Sequence, residues 1–462
     1  MANSESHTYQ LKTKDIAASI RTQTRTARSV LEHYLDRIDK FNPTLNAVIF
    51  RDDAKARQNA DQIDARIKAG ETLGPLAGVP MTIKDAFEVT GMTCDVGVPA
   101  FKGQISTQNA TVVSRLENAG AIIIGKTNTP YLCSDWQSYN AIHGTTNNPW
   151  HLNHTPGGSS GGSAAALSAG MTPLEFGSDI GGSIRVPAHY CGLFGHKPSL
   201  DIIPTKGHVP PAHGAQRGSD LNVVGPIARS VEDLLLLLDL TAGPERPLAS
   251  AFSLALQGPR AQTPTNLRIG LWADDPYCTV SNQFATEIEN AAKALTKQGA
   301  KIIPIKPPFD LEEHTNLYRF LLNAAMSSGP RNQTLHTEWL RAKEQTAQYL
   351  KNWMALFEQI DVLFCPVSPT TALPHTQDKD FAGRRMRVNG YDRDYNDNAI
   401  WPGVPTSCGL PATAVPLGLA TDGLPFGMQI IGPPFEDKTP LAVAAMLETI
   451  GYQQLIPPGF EG

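Results

Sequence analysis

The sequence predicts an α/β fold, because helical patterns, glycines and short apolar strands follow one another along the chain. Residues 110–119 have a helical pattern, Gly120 ends it, and residues 121–124 follow as a short buried strand. The 462 residues contain no linker and no break in composition, so one large domain is predicted. Charged residues make up 18% and hydrophobic residues 41% of the chain, which indicates a large core.

The individual elements follow from apolar periodicity and from the residues that interrupt it. A helix is predicted over residues 13–40, and Asn42-Pro43 is expected to end it. The stretch 372–405 is rich in loops and is predicted to be an insertion over a site. Further helices are predicted at 53–68, 110–119, 164–170, 231–241 and 281–299, and strands at 78–85, 121–124, 267–272, 302–305, 361–366 and 426–432.

Composition excludes several classes of function. The 39 Lys and Arg against 44 Asp and Glu give a formal charge of −5, so no basic surface for nucleic acid is expected. The longest leucine run, 234–238, is too short to cross a membrane, and the polar start lacks the features of a signal peptide. The six cysteines are scattered without a C-x-x-C pair, which favours free thiols and a cytoplasmic location.

Two further patterns are interpreted as structural. Residues 120–127 fit the phosphate-binding loop G-x-x-x-x-G-K-[ST], but their interior, Ala-Ile-Ile-Ile, prefers a strand. His151 and His154 are spaced like metal ligands, but no third ligand lies near them in the sequence. No nucleotide and no metal ion is therefore predicted, and a P-loop nucleotide binder stays open only as an alternative class.

Residues 157–161 fit G-x-S-x-G, the nucleophile elbow of Ser-His-Asp hydrolases. An elbow follows an apolar strand, whereas residues 152–156 are mostly polar. A Ser-His-Asp hydrolase stays open as an alternative, because several histidines that could complete a triad follow downstream. They are His189, His196, His208 and His213.

Three Gly-Gly pairs occur within 30 residues, and each is followed directly by serine. Gly181-Gly182 can present successive backbone N–H groups to one point, which an oxyanion hole requires, and Ser183 would then be placed to attack the bound carbonyl. A serine nucleophile needs a base, and Lys84 follows an apolar strand. Its pKa must fall by about three units for it to be half neutral at pH 7, which costs roughly 4 kcal/mol.

These residues resemble the amidase signature family of serine hydrolases. Residues 156–166 and 177–188 carry the resemblance, which extends over essentially the whole chain, 1–462, with its core at 78–200. Supporting matches lie at 78–85, 125–128, 148–150, 191–198 and 409–412.

The resemblance implies one α/β domain with a mixed central sheet flanked by helices. It also implies that Lys84 is the terminal base, Ser159 the bridging serine and Ser183 the nucleophile, and that the Gly158–Ser159 peptide is cis. No cofactor and no metal is implied. The N–H groups of the implied oxyanion hole belong to Ile180, Gly181, Gly182 and Ser183.

The implied reaction is hydrolysis of a C–N amide bond through an acyl-Ser183 intermediate. Carbamate or ester hydrolysis by the same groups is an alternative, and so is the amidase component of a tRNA-dependent amidotransferase, whose distinctive stretch is only loosely echoed at 389–395. Tyr131, Trp136 and Trp401 are predicted to line the substrate pocket; Tyr131 stands where many members have Glu. The predicted partners are a small amide substrate and a second copy of the chain in a homodimer.

Overall fold

The computed structural model of the chain describes residues 11–326, 334–377 and 380–461. Within these ranges the strands form one eight-stranded sheet, one three-stranded sheet and two two-stranded sheets. The strands are β1 (Val48–Arg51), β2 (Pro80–Lys84), β3 (Ile122–Thr127), β4 (Tyr139–Asn140), β5 (Gly144–Thr145), β6 (Glu175–Asp179), β7 (Phe194–Lys197), β8 (Val223–Ala228), β9 (Arg268–Leu271), β10 (Lys301–Ile303), β11 (Val362–Pro366), β12 (Arg385–Val388), β13 (Tyr391–Asp394), β14 (Ala412–Leu419) and β15 (Pro425–Ile431).

The eight-stranded sheet forms the centre of the molecule, in the order β10-β9-β11-β15-β14-β7-β8-β6. Strand β9 pairs in parallel with β10 and β11, and all other neighbours in this sheet are antiparallel. Strands β6, β7, β8, β11 and β15 are buried along their whole length, as expected for a sheet that is covered on both faces. The predicted mixed α/β sheet is therefore confirmed.

Helices pack against this sheet, and the large hydrophobic core lies between the helices and the sheet. Within the described residues no helix is both long enough and apolar enough to cross a membrane. The helices are α1 (Thr13–Arg21), α2 (Ala27–Leu45), α3 (Asp53–Lys68), α4 (Thr111–Asn118), α5 (Gly161–Ser168), α6 (Arg185–Cys191), α7 (Val231–Thr241), α8 (Asn282–Thr296), α9 (Leu311–Met326), α10 (His336–Gln359), α11 (Ile400–Thr406) and α12 (Lys438–Thr449).

The three-stranded sheet, in the order β1-β3-β2, adjoins strand β6 at the edge of the central sheet. Thr82 of β2 makes two contacts across this junction: its N–H donates to Thr172 Oγ1 at 3.1 Å, and its hydroxyl donates to the Glu175 carboxyl group. The residues that follow Thr82 along β2 are therefore carried past β6. This junction brings Lys84, at the end of β2, to the central sheet.

The N-terminal region differs from the prediction of one helix over 13–40. It forms two helices, because Gln23 adopts φ 57° between them and Thr26 begins α2 by accepting a hydrogen bond from Ser29 N–H. Helix α2 also continues through Pro43 to Leu45. A proline in the last turn removes only one hydrogen bond, and the left-handed residue Asn46 ends the helix instead.

The stretch 372–405, predicted as loops, contains regular structure. Strands β12 and β13 form a hairpin, and α11 follows it. Residues 378–379 of this stretch lie outside the described residues. That the stretch covers the site stays a prediction. The region 120–127, which fits a phosphate-binding loop by pattern, contains strand β3 and does not lead into a helix.

Candidate active site

Lys84 ends strand β2 and is completely buried. Its Nζ donates hydrogen bonds to Ser159 Oγ at 2.6 Å and to Ser178 Oγ at 3.0 Å, and both partners are uncharged hydroxyl groups. Burial lowers the pKa of the Lys84 amine below its ordinary value of 10.5, while Cys133 and Asp179 oppose this change. The surroundings therefore favour the neutral amine, which is the form that can accept a proton.

Asp85 follows Lys84 but contacts a different set of groups, as alternation along a strand requires. Its carboxylate pairs with Lys126 Nζ at 3.1 Å and accepts a hydrogen bond from Val96 N–H at 3.0 Å. Burial raises the pKa of Asp85 to about 6, and the charge of Lys126 opposes this rise. Lys126 also donates to Phe87 O at 2.6 Å. Lys126, the lysine of the phosphate-binding-loop pattern, is thus bonded to Asp85 and Phe87 inside the protein.

Ser159 lies in a buried turn that leads into helix α5, and the Gly158–Ser159 peptide is cis. A side chain at position 158 would collide with backbone, because its Cβ would lie 2.3 Å from Asp135 O. Ser138 holds the turn together: its hydroxyl donates to Gly157 O at 3.0 Å and accepts from Gly161 N–H at 3.0 Å. The glycines of this segment therefore allow close backbone packing around Ser159.

Ser183 lies in the turn that connects strand β6 to helix α6. The backbone N–H of Ser160 donates to Ser183 O at 3.2 Å, which places the two serine-containing turns side by side. Ser159 and Ser183 also line the same cavity. The structure thus brings together Lys84, Ser159 and Ser183, which are 75 and 24 residues apart in sequence.

The turn before Ser183 presents its N–H groups in alternating directions, because C=O and N–H point to opposite sides of each trans peptide. Gly182 N–H donates to Asp179 Oδ1 at 2.9 Å. The family resemblance implies that this N–H belongs to the oxyanion hole, and its bond to Asp179 corrects that expectation. The N–H groups of Ile180, Gly181 and Ser183 have no acceptor within the described residues.

Two aromatic side chains hold the carbonyl groups of this turn. Tyr318 OH donates to Ile180 O at 2.7 Å, which directs the N–H of Gly181 to the opposite side. Trp136 Nε1 donates to Gly181 O at 2.8 Å, which directs the N–H of Gly182 toward Asp179. These two bonds therefore fix the direction of both peptides, so that Gly182 N–H is bonded to Asp179 and Gly181 N–H is left without an acceptor within the described residues.

Asp179 and Arg185 form a buried ion pair behind the turn, with 2.8 Å between Oδ1 and Nη2. Burial alone would raise the pKa of Asp179, but Arg185 lowers it to about 2. The Arg185 guanidinium also donates to Pro402 O at 2.9 Å, Thr406 Oγ1 at 2.9 Å and Gln429 Oε1 at 2.7 Å. The turn is thereby tied to helix α11 and to strand β15.

A cavity of about 190 Å³ opens at these serines, and Ser159, Ser178 and Ser183 lie in its wall. A larger cavity of about 450 Å³ lies beside Arg229 near the C-terminal residues, but the three serines do not line it. The candidate active site is therefore identified by the serines in its wall and not by the volume of the cavity. The other residues that line the smaller cavity are Leu132, Cys133, Ser134, Ile180, His208, Pro210, Pro211, Ser219, Asn222, Ala325 and Met326.

The three predicted pocket aromatics do not line this cavity. Tyr131 is 52% exposed to solvent, and Trp136 supports the turn through Gly181. Trp401 is completely buried and donates from Nε1 to Cys278 O at 3.0 Å. Their prediction as pocket residues is corrected, because Tyr131 is half exposed to solvent, whereas Trp136 and Trp401 are held by partners 45 and 123 positions away.

Among the downstream histidines, three are bound to groups outside the cavity. His189 contacts Gly427 and Thr370, and His196 contacts Thr413 and Asp437. His213 lies 3.5 Å from Glu88. The fourth, His208, lines the cavity, but its Nδ1 contacts Pro210 O and not a carboxylate. This arrangement does not form a Ser-His-Asp triad.

Sequence reasoning missed Ser178, Tyr318 and Asn222, and it named His208 only as a possible member of a Ser-His-Asp triad. Ser178 precedes Asp179 within the stretch 177–188, so of the three missed residues it was the one that the sequence motif could have indicated. Tyr318 lies on helix α9, 138 residues from the carbonyl group that it holds. Within the described residues no group of three or more His, Cys, Asp or Glu is arranged to hold a metal ion.

The chain belongs to the amidase family, since the family model described as Amidase matches residues 29–335 and 319–441. A protein named "Putative amidase AmiB2" from Mycobacterium tuberculosis (strain ATCC 25618 / H37Rv) is 34% identical over 459 residues, which cover 92% of each chain. One component of the glutamyl-tRNA(Gln) amidotransferase of Picosynechococcus sp. (strain ATCC 27264 / PCC 7002 / PR-6) is 32% identical over 476 residues, which cover 92% of this chain and 94% of the relative.

Solved structures agree with this assignment. A bacterial aryl acylamidase of the amidase signature family superimposes with a TM-score of 0.85 at 25% identity, over 97% of this chain and 98% of that chain. A chain from the inhibitor-bound vestigial complex associated with an s-triazine catabolic enzyme gives a TM-score of 0.82 at 27% identity, over 96% and 100%. The protein therefore has the amidase signature fold.

The hydrogen bond from Tyr318 to Ile180 O gives a first test of the turn. We expect Tyr318→Phe to lower kcat about 10-fold and to leave KM nearly unchanged, because the loosened peptide affects the transition state more than the ground state. The free energy of unfolding should fall by about 1 kcal/mol. Steady-state kinetics on an amide and urea unfolding measure both. Tyr391→Phe, at a 78% exposed residue, is the control; an unchanged kcat in Tyr318→Phe would contradict the assigned role.

Proposed function

We propose that this protein hydrolyses the C–N bond of small, uncharged amides through an acyl-enzyme on Ser183. The single observation that carries the proposal is the buried amine of Lys84, hydrogen-bonded to Ser159 beside Ser183. A neutral amine in this position can serve as the base that a serine nucleophile requires. The amidase family membership supports the same reaction class.

The first step is proton transfer through Ser159. The lone pair of Lys84 Nζ takes the proton of Ser159 Oγ, while Ser159 Oγ takes the proton of Ser183 Oγ. Ser183 Oγ then forms a bond to the amide carbon, and the carbonyl π electrons move onto oxygen. Lys84 becomes an ammonium ion in this step, and its three donors can retain Ser159 and Ser178 as partners.

The negative oxygen of the tetrahedral intermediate is proposed to bind the N–H groups of Ile180, Gly181 and Ser183. This proposal rests on the absence of another acceptor for them within the described residues. Fixed N–H groups stabilise charge at this point without reorganisation, and each is typically worth about 3–4 kcal/mol in the transition state. Gly182 supports the turn through Asp179 and takes no direct part.

Collapse of the intermediate breaks the C–N bond. The proton held by Lys84 returns through Ser159 to the departing nitrogen, because an unprotonated amide anion is a very poor leaving group. Water then enters, gives its proton along the same path and attacks the acyl carbon. Ser183 leaves with the returning proton, and the carboxylic acid product is released.

The cavity favours an uncharged substrate. None of the described residues in its lining is Asp, Glu, Lys or Arg. A glutamine substrate would bring an ammonium and a carboxylate group, both of which need charged or strongly polar partners when desolvated. We therefore favour a free-standing amidase over an amidotransferase component, although both occur among the relatives. Esters and carbamates present the same reacting carbonyl and are secondary candidates.

The whole chain is proposed to act as one catalytic unit with its core at 78–200. Its six cysteines are free thiols, which supports the predicted cytoplasmic location. A homodimer stays a prediction.

Covalent labelling tests the nucleophile and the base. An activated fluorophosphonate should label Ser183 in the native protein, and peptide mapping should find no label in Ser183→Ala. Lys84→Met keeps a long side chain without the amine, and we expect it to lower kcat on an amide at least about 10³-fold. Lys293→Met, on an exposed part of helix α8, should retain full activity. Label on Ser159, or full turnover by a folded Lys84→Met protein, would contradict the mechanism.

The pH profile tests the state of Lys84. Because the base must be neutral, kcat/KM should fall as pH drops through the lowered pKa of Lys84, well below its ordinary 10.5. Ser178→Ala removes an oxygen that stabilises the ammonium form, so this acid limb should move to still lower pH. Asp179, with a pKa of about 2, stays charged over this range. Ser253→Ala, at an exposed loop serine, is the control; an acid limb that stays in place in Ser178→Ala would refute the assignment.

A further inference from the structure

One short segment, residues 135–138, contacts both serine-containing turns, and we call it the connecting segment. Trp136 Nε1 donates to Gly181 O at 2.8 Å, in the turn that leads to the nucleophile. Ser138, at the other end of the segment, donates to Gly157 O at 3.0 Å, in the second serine-containing turn. A displacement of the connecting segment would therefore disturb both turns.

Asp135, the first residue of the connecting segment, has a buried carboxylate that is held by residues 249 and 260 positions later in the chain. Its Oδ2 pairs with Arg384 Nη1 at 2.6 Å, and its Oδ1 accepts a hydrogen bond from Tyr395 OH at 2.6 Å. Arg384 also donates from Nη2 to Tyr139 OH at 2.8 Å, so its guanidinium contacts the chain on both sides of the segment. A buried carboxylate is stable as an anion only where such partners compensate its charge.

Two further contacts join the connecting segment to the region 376–395. The Gln137 amide donates from Nε2 to Thr376 Oγ1 at 2.9 Å, and its Oε1 accepts from Thr376 N–H at 3.1 Å. The ring of Tyr395 meets the ring of Trp136 edge-on, with 5.5 Å between the centroids. None of the described residues of the region 376–395 lines the catalytic cavity, so this region can act on the catalytic turns through the connecting segment.

We propose that Arg384 and Tyr395 are positioning residues for the hydrolysis. They hold the Asp135 carboxylate, and thereby they keep the Trp136 indole N–H on Gly181 O, which orients the peptide between Gly181 and Gly182. The inference rests on the proposed function and adds to it two residues outside the cavity wall. Without Arg384 the buried carboxylate loses its cation, so Asp135 is drawn toward water and takes the neighbouring Trp136 with it.

Two substitutions in the full-length protein test this role. Arg384→Met keeps the length of the side chain without its charge, and Tyr395→Phe removes only the hydroxyl group and keeps the ring against Trp136. We expect kcat on an amide to fall at least about 10-fold in Arg384→Met and about threefold in Tyr395→Phe. KM should change less than about twofold in both, because the oriented turn acts on the transition state. Arg387→Met, at an exposed residue of strand β12, should keep the native kcat.

Hydrogen exchange of the Trp136 Nε1–H group tests the route of the effect. Its ¹H–¹⁵N signal, assigned by its loss in Trp136→Phe, should exchange at least about 10-fold faster in Arg384→Met and about threefold faster in Tyr395→Phe, because the bond to Gly181 O opens more often. Trp401 Nε1–H, which is bonded to Cys278 O, is the internal reference and should exchange at its native rate. A general loss of stability would accelerate both signals equally.

A native kcat in either variant, once it is folded, would overturn the role of that residue and leave the proposed function standing. A lowered kcat with unchanged exchange at Trp136, or with exchange raised equally at Trp401, would overturn the inference as well. If Arg384→Met does not fold, the same two measurements on Tyr395→Phe decide. If the native protein hydrolyses no amide, the proposed function itself fails, and the inference falls with it.

Discussion

The proposed chemistry depends on one constraint: the amine of Lys84 is buried with two hydroxyl groups, and not a carboxylate, as its hydrogen-bond partners. Strand β2 carries it into the junction between the two sheets, where Ser159 and Ser178 are its partners. The neighbouring strand provides a contrast, because Lys126 is equally buried but pairs with Asp85 at 3.1 Å. A counter-charge suits a structural lysine, whereas its absence favours the neutral amine of a base.

A second buried arrangement fixes the turn before Ser183, which is the turn proposed to bind the oxyanion. The Asp179–Arg185 pair fixes the end of β6 and directs the N–H of Gly182 inward, while Tyr318 and Trp136 hold the two preceding carbonyl groups. Removing one partner of such a pair typically costs about 3–5 kcal/mol, because it leaves an uncompensated buried charge. The orientation of a few peptide planes therefore depends on charges and aromatic rings from distant parts of the chain.

Local periodicity predicted the fold class and the bounds of α7, and the resemblance of the long motifs to the amidase signature family implied that Lys84, Ser159 and Ser183 come together. The sequence did not predict that Gly182 N–H turns inward or that Trp401 lies in the core. Both outcomes depend on contacts between residues more than 100 positions apart or on the direction of one peptide plane, neither of which leaves a local pattern. Helix α9 was missed although its Tyr318 positions the turn.

The central claim is that Lys84 is a neutral amine in the folded protein, and NMR can observe it directly. Protein labelled with ¹³C at lysine Cε would be titrated, and the Lys84 signal assigned by its loss in Lys84→Met. The account predicts a Lys84 signal that titrates well below the ordinary value of 10.5, while exposed lysines remain charged. A Lys84 signal that titrates together with the exposed lysines would contradict the account.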